Sequence, residues 1–257
     1  MLSVIIPSFK DPLLHKTIGS LLDNSEGEIE IIPVLDGYWP KSQIMEDERI
    51  KILHLGKNRG MRRAINAGVS MSQGKYIMKS DSHCSFAAGF DKTLVSESKK
   101  KRIQIPTRKR LDAENWSLIS DGRPDSNYLY LDKNYRGRLW NKKNKDKKLK
   151  SKLIDPIVAF QGSCYFLERS FWDTLDILDD KNFGGIGHES QEITFKCWLA
   201  NGEVVRNKKT WYAHWHRTKG PVRDRSKSRE CLRRWIKNKK RLSVINDNIQ
   251  KYGHKTN

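Results

Sequence analysis

The first 80 residues alternate short apolar runs with longer segments in which apolar residues recur every three or four positions. The short runs, which favour buried β-strands, are residues 3–7, 30–35, 50–53 and 75–79. Residues 12–23 and 59–72 lie between them and have the apolar spacing of helices. Because strands separated by helices pair in parallel through right-handed crossovers, the chain is predicted to be an α/β protein with a mostly parallel, doubly wound sheet.

The fourth of these runs leads into Asp81-Ser82-His83-Cys84. Side chains two residues apart on an extended chain point to the same side, so Asp81 and His83 are expected to face one point. A carboxylate oxygen and an imidazole nitrogen suit a divalent ion such as Mn²⁺, and open α/β sheets bind ligands at the carboxyl ends of their strands. An ordinary strand-exit turn, in which Asp bonds the nearby backbone, is the alternative interpretation.

The sequence lacks the glycine motifs of two common nucleotide-binding folds. No G-x-G-x-x-G follows the first predicted strand, and no G-x-x-x-x-G-K-[ST] occurs. A nucleotide, if one binds, must therefore be held in another way.

Positive charge is concentrated in three segments. The 257 residues carry 50 Lys and Arg against 30 Asp and Glu, a formal charge of +20. Residues 99–110, 133–152 and 206–241 carry net charges of +7, +9 and +13, so the remainder is mildly acidic. This density favours a polyanionic partner, nucleic acid in the first place, and also permits peripheral contact with anionic lipid. Lysine-rich solvated loops are the alternative.

Residues 98–156 interrupt the alternation of strands and helices, and they are predicted to form a basic insertion. The segment also contains five aromatic residues, Trp116, Tyr128, Tyr130, Tyr135 and Trp140. Aromatic rings among cations are typical of surfaces that bind nucleic acid. The core of a small subdomain is the alternative, and it is the preferred interpretation for Tyr128 and Tyr130.

A Gly-Pro pair at residues 220 and 221 indicates a boundary. Residues 1–217 are therefore expected to form the main domain, and residues 218–257 a basic helical extension. Apolar residues recur at intervals of three and four through this tail, which predicts an amphipathic helix docked on the body.

The four cysteines show no C-x-x-C spacing, which argues against a zinc knuckle. Since no signal peptide is recognised, they are expected to be reduced thiols in a cytoplasmic protein. No apolar run approaches 18 residues, so no membrane span is predicted.

Several motifs, taken in order, resemble a known family. They are the opening Val-Ile-Ile-Pro-Ser, Val34-Leu35-Asp36-Gly37, Asn58-Arg59-Gly60, Gly74-Lys75-Tyr76-Ile77 before Asp81, the Gly-Gly-x-Gly-x-Glu loop at 184–189, and Ala213-His214-Trp215-His216-Arg217. Together they resemble the GT-A nucleotide-sugar glycosyltransferases of family 2 over residues 1–97 and 157–217. Asp81-Ser82-His83-Cys84 looks like the metal motif of the polypeptide N-acetylgalactosaminyltransferases. The resemblance implies a Rossmann-like GT-A fold and sugar transfer from a nucleotide-sugar, with a UDP-sugar as the expected donor.

The resemblance also implies a metal site. Asp81 and His83 would bind Mn²⁺ or Mg²⁺ together with His214, and His216 is the rival for the third ligand. The ion would stabilise the charge that develops on the leaving diphosphate. Buried strand positions among tryptophans are the alternative interpretation of both distant histidines.

Contacts to the donor follow from the same resemblance. Pro7 and Ser8 would lie along the base and ribose, and Asp36 would accept hydrogen bonds from the uracil or ribose. Arg63 would reach the nucleotide from the helix that follows Gly60.

Glu189 and Glu192, three residues apart on one helix face, are the candidate catalytic residues. Either would bind a sugar hydroxyl or act as a base, and capping of the helix start is the alternative. Inverting family members show Glu-Asp in this loop, whereas this chain has Glu189-Ser190, so the stereochemical outcome stays open. Gly162 and Arg217 complete the candidate donor-binding residues, with Arg217 near the leaving diphosphate.

Family resemblance does not fix the acceptor. The basic segments favour nucleic acid, and DNA with a hydroxymethylated base, as in phages that modify their genomes, is the leading hypothesis. Such a base would have to be flipped or single-stranded. A polysaccharide, a lipid-linked sugar or a protein side chain is the second hypothesis, and a non-catalytic nucleic-acid-binding protein on a transferase scaffold is the third.

Overall fold

The computed structural model describes residues 1–216 and 224–253, so Arg217 and the predicted boundary at 217 and 218 lie outside the described residues. The strands are β1 (Leu2–Ser8), β2 (Ile29–Asp36), β3 (Leu53–Leu55), β4 (Tyr76–Ser80), β5 (Cys84–Phe86), β6 (Arg102–Asp112), β7 (Ser117–Leu118), β8 (Leu129–Leu131), β9 (Gly137–Leu139), β10 (Ile154–Pro156), β11 (Cys164–Glu168) and β12 (Glu203–His214). The helices are α1 (Leu14–Asn24), α2 (Met61–Met71), α3 (Phe90–Ser96), α4 (Asn141–Lys145), α5 (Lys147–Lys150), α6 (Arg169–Leu175), α7 (Asp180–Phe183), α8 (Glu189–Leu199), α9 (Ser226–Ile236) and α10 (Lys239–Tyr252).

The first four strands and two helices follow the predicted order. β1 pairs in parallel with β2 and β4, and β2 pairs in parallel with β3. The third strand lies later in the chain than predicted. Ile50 makes only an isolated bridge to Ile31, whereas the backbone from Leu53 onward aligns with the end of β2.

Strand alternation gives this half of the sheet two apolar faces. On β1, Ile5 packs towards Ala64 and Ile65 of α2, while Val4 and Ile6 pack on the opposite face, together with α1. Since successive side chains of a strand point to opposite faces and helices cover both, β1 is apolar along most of its length. The apolar runs recognised in the sequence are the consequence.

The second half of the chain turns the sheet into a mixed one. Among the described residues, β10-β12-β6-β11-β4-β1-β2-β3 is the strand order, with β5 beside β12 and β7 beside β6. β11 runs antiparallel to β4 and β6, whereas β12 and β6 are parallel to each other. The predicted α/β class is confirmed, and its parallel part is the N-terminal half together with the β6–β12 pair.

Residues 98–156, expected to form an insertion, begin with a strand of the central sheet. β6 lies between β12 and β11, and its Arg102 and Arg108 are buried. Because β6 contains several Lys and Arg residues, it has no continuous apolar run, and the sequence pattern did not predict a strand there. The rest of the segment contains the β8–β9 hairpin and two short helices, and Tyr128 is buried there, with its hydroxyl donating to Asp155 Oδ2 at 2.8 Å.

The C-terminal extension contains two helices where one was predicted. The helical conformation is interrupted after α9. The Asn238 side chain then caps α10 by accepting from the Arg241 backbone N–H at 3.1 Å. Leu232, Ile236 and Ile245 pack in one apolar cluster with residues of α8, so the apolar face of the tail docks on the body as expected. Within the described ranges, no helix combines the length and the apolar character needed to cross a bilayer.

Candidate active site

Three strand ends bring an acid and two histidines together. Asp81 follows β4, His83 precedes β5, and His214 ends β12, which pairs with β5 in a register that places His214 opposite Cys84. One ligand atom from each of Asp81, His83 and His214 lies within 4.8 Å of the others. Asp81 Oδ2 is 3.1 Å from His214 Nε2 and 4.0 Å from His83 Nε2. The convergence expected from the sequence is present.

Neighbouring side chains orient both imidazoles. His83 Nδ1 donates to Asp11 Oδ2 at 2.7 Å, which directs Nε2 into the cluster as in carboxylate–histidine–metal arrangements. The buried Arg108 donates to His214 Nδ1 at 3.2 Å and also contacts His216 Nε2. Because Nδ1 accepts from Arg108, the ring proton of His214 lies on Nε2 and is directed at Asp81 Oδ2. A divalent cation would be held by Nε2 in the tautomer that has its proton on Nδ1. Among the described residues His216 is not part of the three-residue cluster, because it faces the guanidinium instead.

Charges around the cluster keep Asp81 ionised. Burial raises the pKa of a carboxyl group, but Lys79 and His214 outweigh it and hold the pKa of Asp81 well below its usual range. Burial lowers the pKa of His214 to about 4, although Asp81 acts in the opposite direction. At neutral pH this pair is therefore a carboxylate and a neutral imidazole. These are the protonation states that a divalent cation requires, so the donor set fits one.

Lys79 is the buried cation beside the cluster. Its ammonium donates to Asp81 Oδ1 at 2.5 Å and to the Gly162 carbonyl at 2.6 Å, and it lies 3.9 Å from Glu189 Oε1. Burial would lower the pKa of Lys79, but Asp81 and Glu189 outweigh it and raise that pKa. Glu189 is itself buried, which raises its pKa, and its Oε1 accepts from the Tyr165 hydroxyl at 2.9 Å.

Two cavities meet at Asp81. The first, which we call the acidic cavity, has a volume of about 520 Å³. Its charged lining consists of Asp11, Asp36, Asp81, Asp224 and Arg59. Pro7 and Ser8 line the same cavity, so these two predicted donor-binding residues and Asp36 lie together beside the cluster.

Asp36 has a structural task at the wall of the acidic cavity. Its carboxylate accepts from the backbone N–H of Arg59 at 2.6 Å and of Gly60 at 2.9 Å, and from the Asn58 side chain at 3.0 Å. These bonds fix the loop before α2. Gly60 has φ +89°, and a Cβ there would meet the Gly185 Cα at 2.7 Å, so two glycines let this loop touch the glycine-rich loop directly.

Arg63, expected at the nucleotide, lies elsewhere. α2 begins at Met61 and turns Arg63 toward solvent, where its side chain is 58% exposed and 3.7 Å from Asp180. Arg59 lines the acidic cavity instead. The sequence contained a signal for Arg59, since it lies inside the Asn58-Arg59-Gly60 motif.

The second cavity, which we call the arginine cavity, has a volume of about 730 Å³. Its charged lining consists of Lys79, Arg108, Arg136, Arg138, Arg225, Arg229, Asp81 and Glu189. Gly162 lines this cavity and not the acidic one. A Cβ on Gly162 would lie 2.7 Å from Glu189 Oε2, so the glycine leaves space for that carboxylate.

Glu192, the other candidate catalytic acid, does not line either cavity. Its carboxylate is buried and pairs with Arg62 and with Lys196, the latter at 2.9 Å, and it accepts from the Asp179 backbone N–H at 3.0 Å. Glu192 and Glu189 lie on one helix but in different surroundings, because Glu192 pairs with Arg62 of α2 whereas Glu189 lines the arginine cavity.

Sequence reasoning missed several residues of the two cavities. Lys79 lies two positions before Asp81 on β4, so the alternation that linked Asp81 to His83 also indicated it. Asp11, which orients His83, follows β1 by three residues. Arg136, Arg225 and Arg229 had no comparable signal, because they come from parts of the chain predicted to be an insertion and an extension.

Known proteins share much of this sequence pattern. Residues 3–174 match the family model described as "Glycosyl transferase family 2". The chain is similar to "Polypeptide N-acetylgalactosaminyltransferase 5" of Caenorhabditis elegans, 21% identical over 182 residues, or 69% of this chain and 29% of the relative. It is also similar to "Uncharacterized glycosyltransferase EpsJ" of Bacillus subtilis (strain 168), 30% identical over 112 residues, or 41% and 32% of the two chains.

Two solved structures show the same fold. GalNAc-T7 with UDP, GalNAc and Mn²⁺ superposes with a TM-score of 0.77 and 18% identity, covering 92% of this chain and 48% of that one. Residues 1–349 of S. aureus TarS in complex with UDP-GlcNAc superpose with a TM-score of 0.59 and 14% identity, covering 98% and 67%. This chain spans about a third of the length of the curated relatives it matches.

The mixed sheet has the GT-A fold of these solved structures. Because the family model matches more than half of its residues, the chain belongs to glycosyltransferase family 2. The fold class and the family predicted from the sequence are confirmed.

Proposed function

We propose that this chain transfers a sugar from a nucleoside diphosphate sugar, with a UDP-sugar as donor, to a hydroxyl group. A divalent ion held by Asp81, His83 and His214 is required for the reaction. Mn²⁺ is the expected ion, with Mg²⁺ as an alternative.

The charge of the acidic cavity carries this proposal. Four carboxylates and one guanidinium line it, so a diphosphate entering it would meet net repulsion. A divalent ion at the edge of the cavity would offset much of this charge and place a local positive charge beside the diphosphate. The charge of the cavity therefore favours a donor that binds together with a metal ion.

The residues of the candidate site have distinct roles in the proposed reaction. A divalent ion at the cluster supplies Lewis-acid stabilisation of the leaving diphosphate. Asp11 fixes the His83 ring, and Lys79 keeps Asp81 ionised. Glu189 faces the arginine cavity, where it binds a hydroxyl of the donor sugar or of the acceptor, or accepts the acceptor proton.

The test is UDP release from a panel of UDP-sugars with and without Mn²⁺. We expect turnover to depend on Mn²⁺ and to fall on the order of 10³-fold in Asp81→Asn, which corresponds to about 4 kcal/mol less transition-state stabilisation. The matched control is Asp121→Asn, since Asp121 pairs with Arg110 and Arg123 away from both cavities. Turnover that persists in EDTA, or an equal loss in the control, would contradict the proposal.

For the acceptor we propose nucleic acid, in particular hydroxymethylated bases of DNA. The support is the formal charge of +20 and its concentration in the segments 133–152 and 206–241, since phosphate contacts by Lys and Arg dominate affinity for nucleic acid. Mass spectrometry of a single-stranded hydroxymethylcytosine oligonucleotide after incubation with a UDP-sugar and Mn²⁺ tests this. Preferential modification of a polysaccharide, a lipid-linked sugar or a protein would replace it, and absence of any turnover would favour a non-catalytic binding protein.

A further inference from the structure

The C-terminal extension forms one wall of the arginine cavity. A Cβ on Gly187 would lie 2.5 Å from Ser228 Oγ and 3.2 Å from Arg225 Cγ, so the glycine-rich loop and the start of α9 are in direct contact. The Ser228 hydroxyl is 3.0 Å from His188 Nδ1. The β8–β9 hairpin closes the cavity on another side with Arg136. Two parts of the chain outside the N-terminal half thus complete the space next to Asp81.

Three guanidinium groups in this cavity are not engaged by a carboxylate at ion-pair distance. Within the described ranges, Arg136, Arg225 and Arg229 make no such pair, although Asp224 lies near enough to interact with Arg229. Arg136 is half-buried, and Arg225 and Arg229 are exposed at the mouth of the cavity. Arg138, by contrast, binds Asp132 at 2.9 Å. The two acids of the cavity, Asp81 and Glu189, lie around the Lys79 ammonium, which offsets part of their charge.

The pKa of His188, which also lines the cavity, is lowered in part by this positive charge. Burial lowers the pKa of His188 to about 4, and the charges of Arg229 and Arg136 act in the same direction. His188 is thus a neutral side chain next to a group of cations at physiological pH. The cations that line the cavity outnumber its two carboxylates, and the neutral His188 ring adds no charge to either side.

We infer that Arg136, Arg225 and Arg229 bind a phosphate group of the acceptor, next to the hydroxyl that receives the sugar. Guanidinium groups match phosphate oxygens with paired hydrogen bonds. A single carboxylate would leave much of the charge of three guanidiniums uncompensated, whereas a phosphate offers more oxygens and, as a monoester, more charge. Because the cavity adjoins Asp81, a phosphate bound there lies across the cluster from the donor. This inference rests on the proposed function and names the acceptor class for the same site.

Transfer to paired acceptors tests the inference. The pairs are 5-hydroxymethyl-2′-deoxycytidine with its 5′-monophosphate, and glycerol with glycerol 3-phosphate; glycerate is the carboxylate control. We expect a phosphorylated acceptor to have a KM at least roughly tenfold below that of its neutral partner, equivalent to one charge-assisted contact. The pair that responds distinguishes a nucleotide source from a polyol phosphate source. Equal KM values for neutral and phosphorylated acceptors, or equal use of glycerate, would overturn the inference.

The arginine variants locate the effect. Arg229→Gln should raise the KM for the phosphorylated acceptor roughly tenfold and raise the donor KM far less. Arg233→Gln is the matched control, because it removes the same charge from the next turn of the same helix; both side chains are exposed, but Arg233 lies outside the cavity. If both variants act alike, the effect is long-range charge and the site is wrong. If Arg229→Gln raises the donor KM instead, the arginines serve the donor diphosphate and the inference fails.

A binding measurement separates this inference from the proposed function. Fluorescence anisotropy with a labelled single-stranded hydroxymethylcytosine oligonucleotide needs no turnover. The whole chain should bind it with an affinity that Arg229→Gln lowers and Arg233→Gln leaves near the wild-type value. The slope of log affinity against log salt should become shallower by about 0.7 for each phosphate that is no longer neutralised. Loss of UDP release in Asp81→Asn tests the reaction alone. Absence of oligonucleotide binding by the wild-type chain, together with equal KM values for glycerol and glycerol 3-phosphate, would overturn the inference even if the reaction is confirmed.

Discussion

The acidic cavity and the arginine cavity share Asp81 but have opposite charge. Four carboxylates and one guanidinium line the first, and six cations with two carboxylates line the second. Under the proposed function, a divalent ion would offset the charge of the first for a donor diphosphate, whereas the cations of the second favour an anion. The contrast supports the proposal that donor and acceptor are recognised by different electrostatic means on the two sides of one carboxylate.

The two cavities also come from different parts of the chain. The acidic cavity lies mainly at the ends of β1, β2 and β4, which the family model covers, and Gly185, Ile186 and Asp224 complete its lining. The arginine cavity combines β6, the β8–β9 hairpin, the glycine-rich loop and the start of α9. Since functional residues are often added to a common fold through its loops and extensions, the second cavity is where this chain is expected to differ from others of its fold.

Replacement of Lys79 should have the largest effect on the two cavities. The Lys79 ammonium lies between Asp81, which lines both cavities, and Glu189, which lines the arginine cavity. Lys79→Met leaves the buried Glu189 and the partly exposed Asp81 without their cation. Removing one partner of a buried ion pair costs about 3–5 kcal/mol. We expect a loss of this size in the free energy of unfolding, measured by urea denaturation in EDTA, and Lys79→Met combined with Glu189→Gln should recover part of it.

Lys209→Met is the control for this experiment. Lys209 pairs with Glu97 at the surface, and its side chain is 38% exposed. Such pairs contribute only about 0–1 kcal/mol, so its unfolding curve should lie close to that of the wild type. A similar loss in both variants would show that Lys79 acts through general packing and not through its charge.

Asp11→Asn should lower the affinity of the metal site for Mn²⁺ while the other charged residues of the acidic cavity remain in place. Asp11 accepts from His83 Nδ1 at 2.7 Å and fixes the ring. Loss of such an outer partner lowers metal affinity about 10–100-fold, which Mn²⁺ titration followed by electron paramagnetic resonance would detect. Asp224→Asn removes the same charge from the same cavity, but Asp224 accepts from the Ser226 backbone N–H at 2.8 Å. Equal losses in the two variants would mean that cavity charge alone sets the affinity.

Arg59→Gln should have the smallest effect of these variants, and it tests whether the acidic cavity binds the donor. Arg59 is the one cation in the lining of the acidic cavity among the described residues. We expect its loss to raise the donor KM about tenfold, the equivalent of one charge-assisted contact, and to leave the acceptor KM nearly unchanged. Arg63→Gln, on the solvent face of α2, should change neither value. Steady-state kinetics with varied UDP-sugar measure both, and a raised donor KM in Arg63→Gln would contradict the assignment of Arg59.

Apolar patterns in the sequence predicted the strands next to the acidic cavity but not strand β6 next to the arginine cavity, and the reason is physical. Buried strands between two helical layers must be apolar, so β1, β2 and β4 were visible in the sequence. β6 is equally central but contains buried arginines, such as Arg108, that bind histidines and carbonyls, and its composition predicted an insertion instead. Where burial is achieved by polar partners, apolar periodicity no longer reports it.

The candidate site divides in the same way. Asp81 and His83 could be linked by strand geometry, and His214 by resemblance, and the structure brings all three together. Arg63 and Glu192 were expected in the site and are directed elsewhere, because the start of α2 and the turn of α8 set the direction of each side chain.

The sequence alone therefore determined the alternation of strands and helices in the N-terminal half, the family, and the acid and histidine at the end of β4. These depend on spacing over a few residues, which the chain itself fixes. The tertiary structure decided which side of Asp81 is acidic and which is basic. That division depends on guanidiniums and carboxylates far apart in the chain, and only packing of the extension and the hairpin against the glycine-rich loop brings them to one cavity.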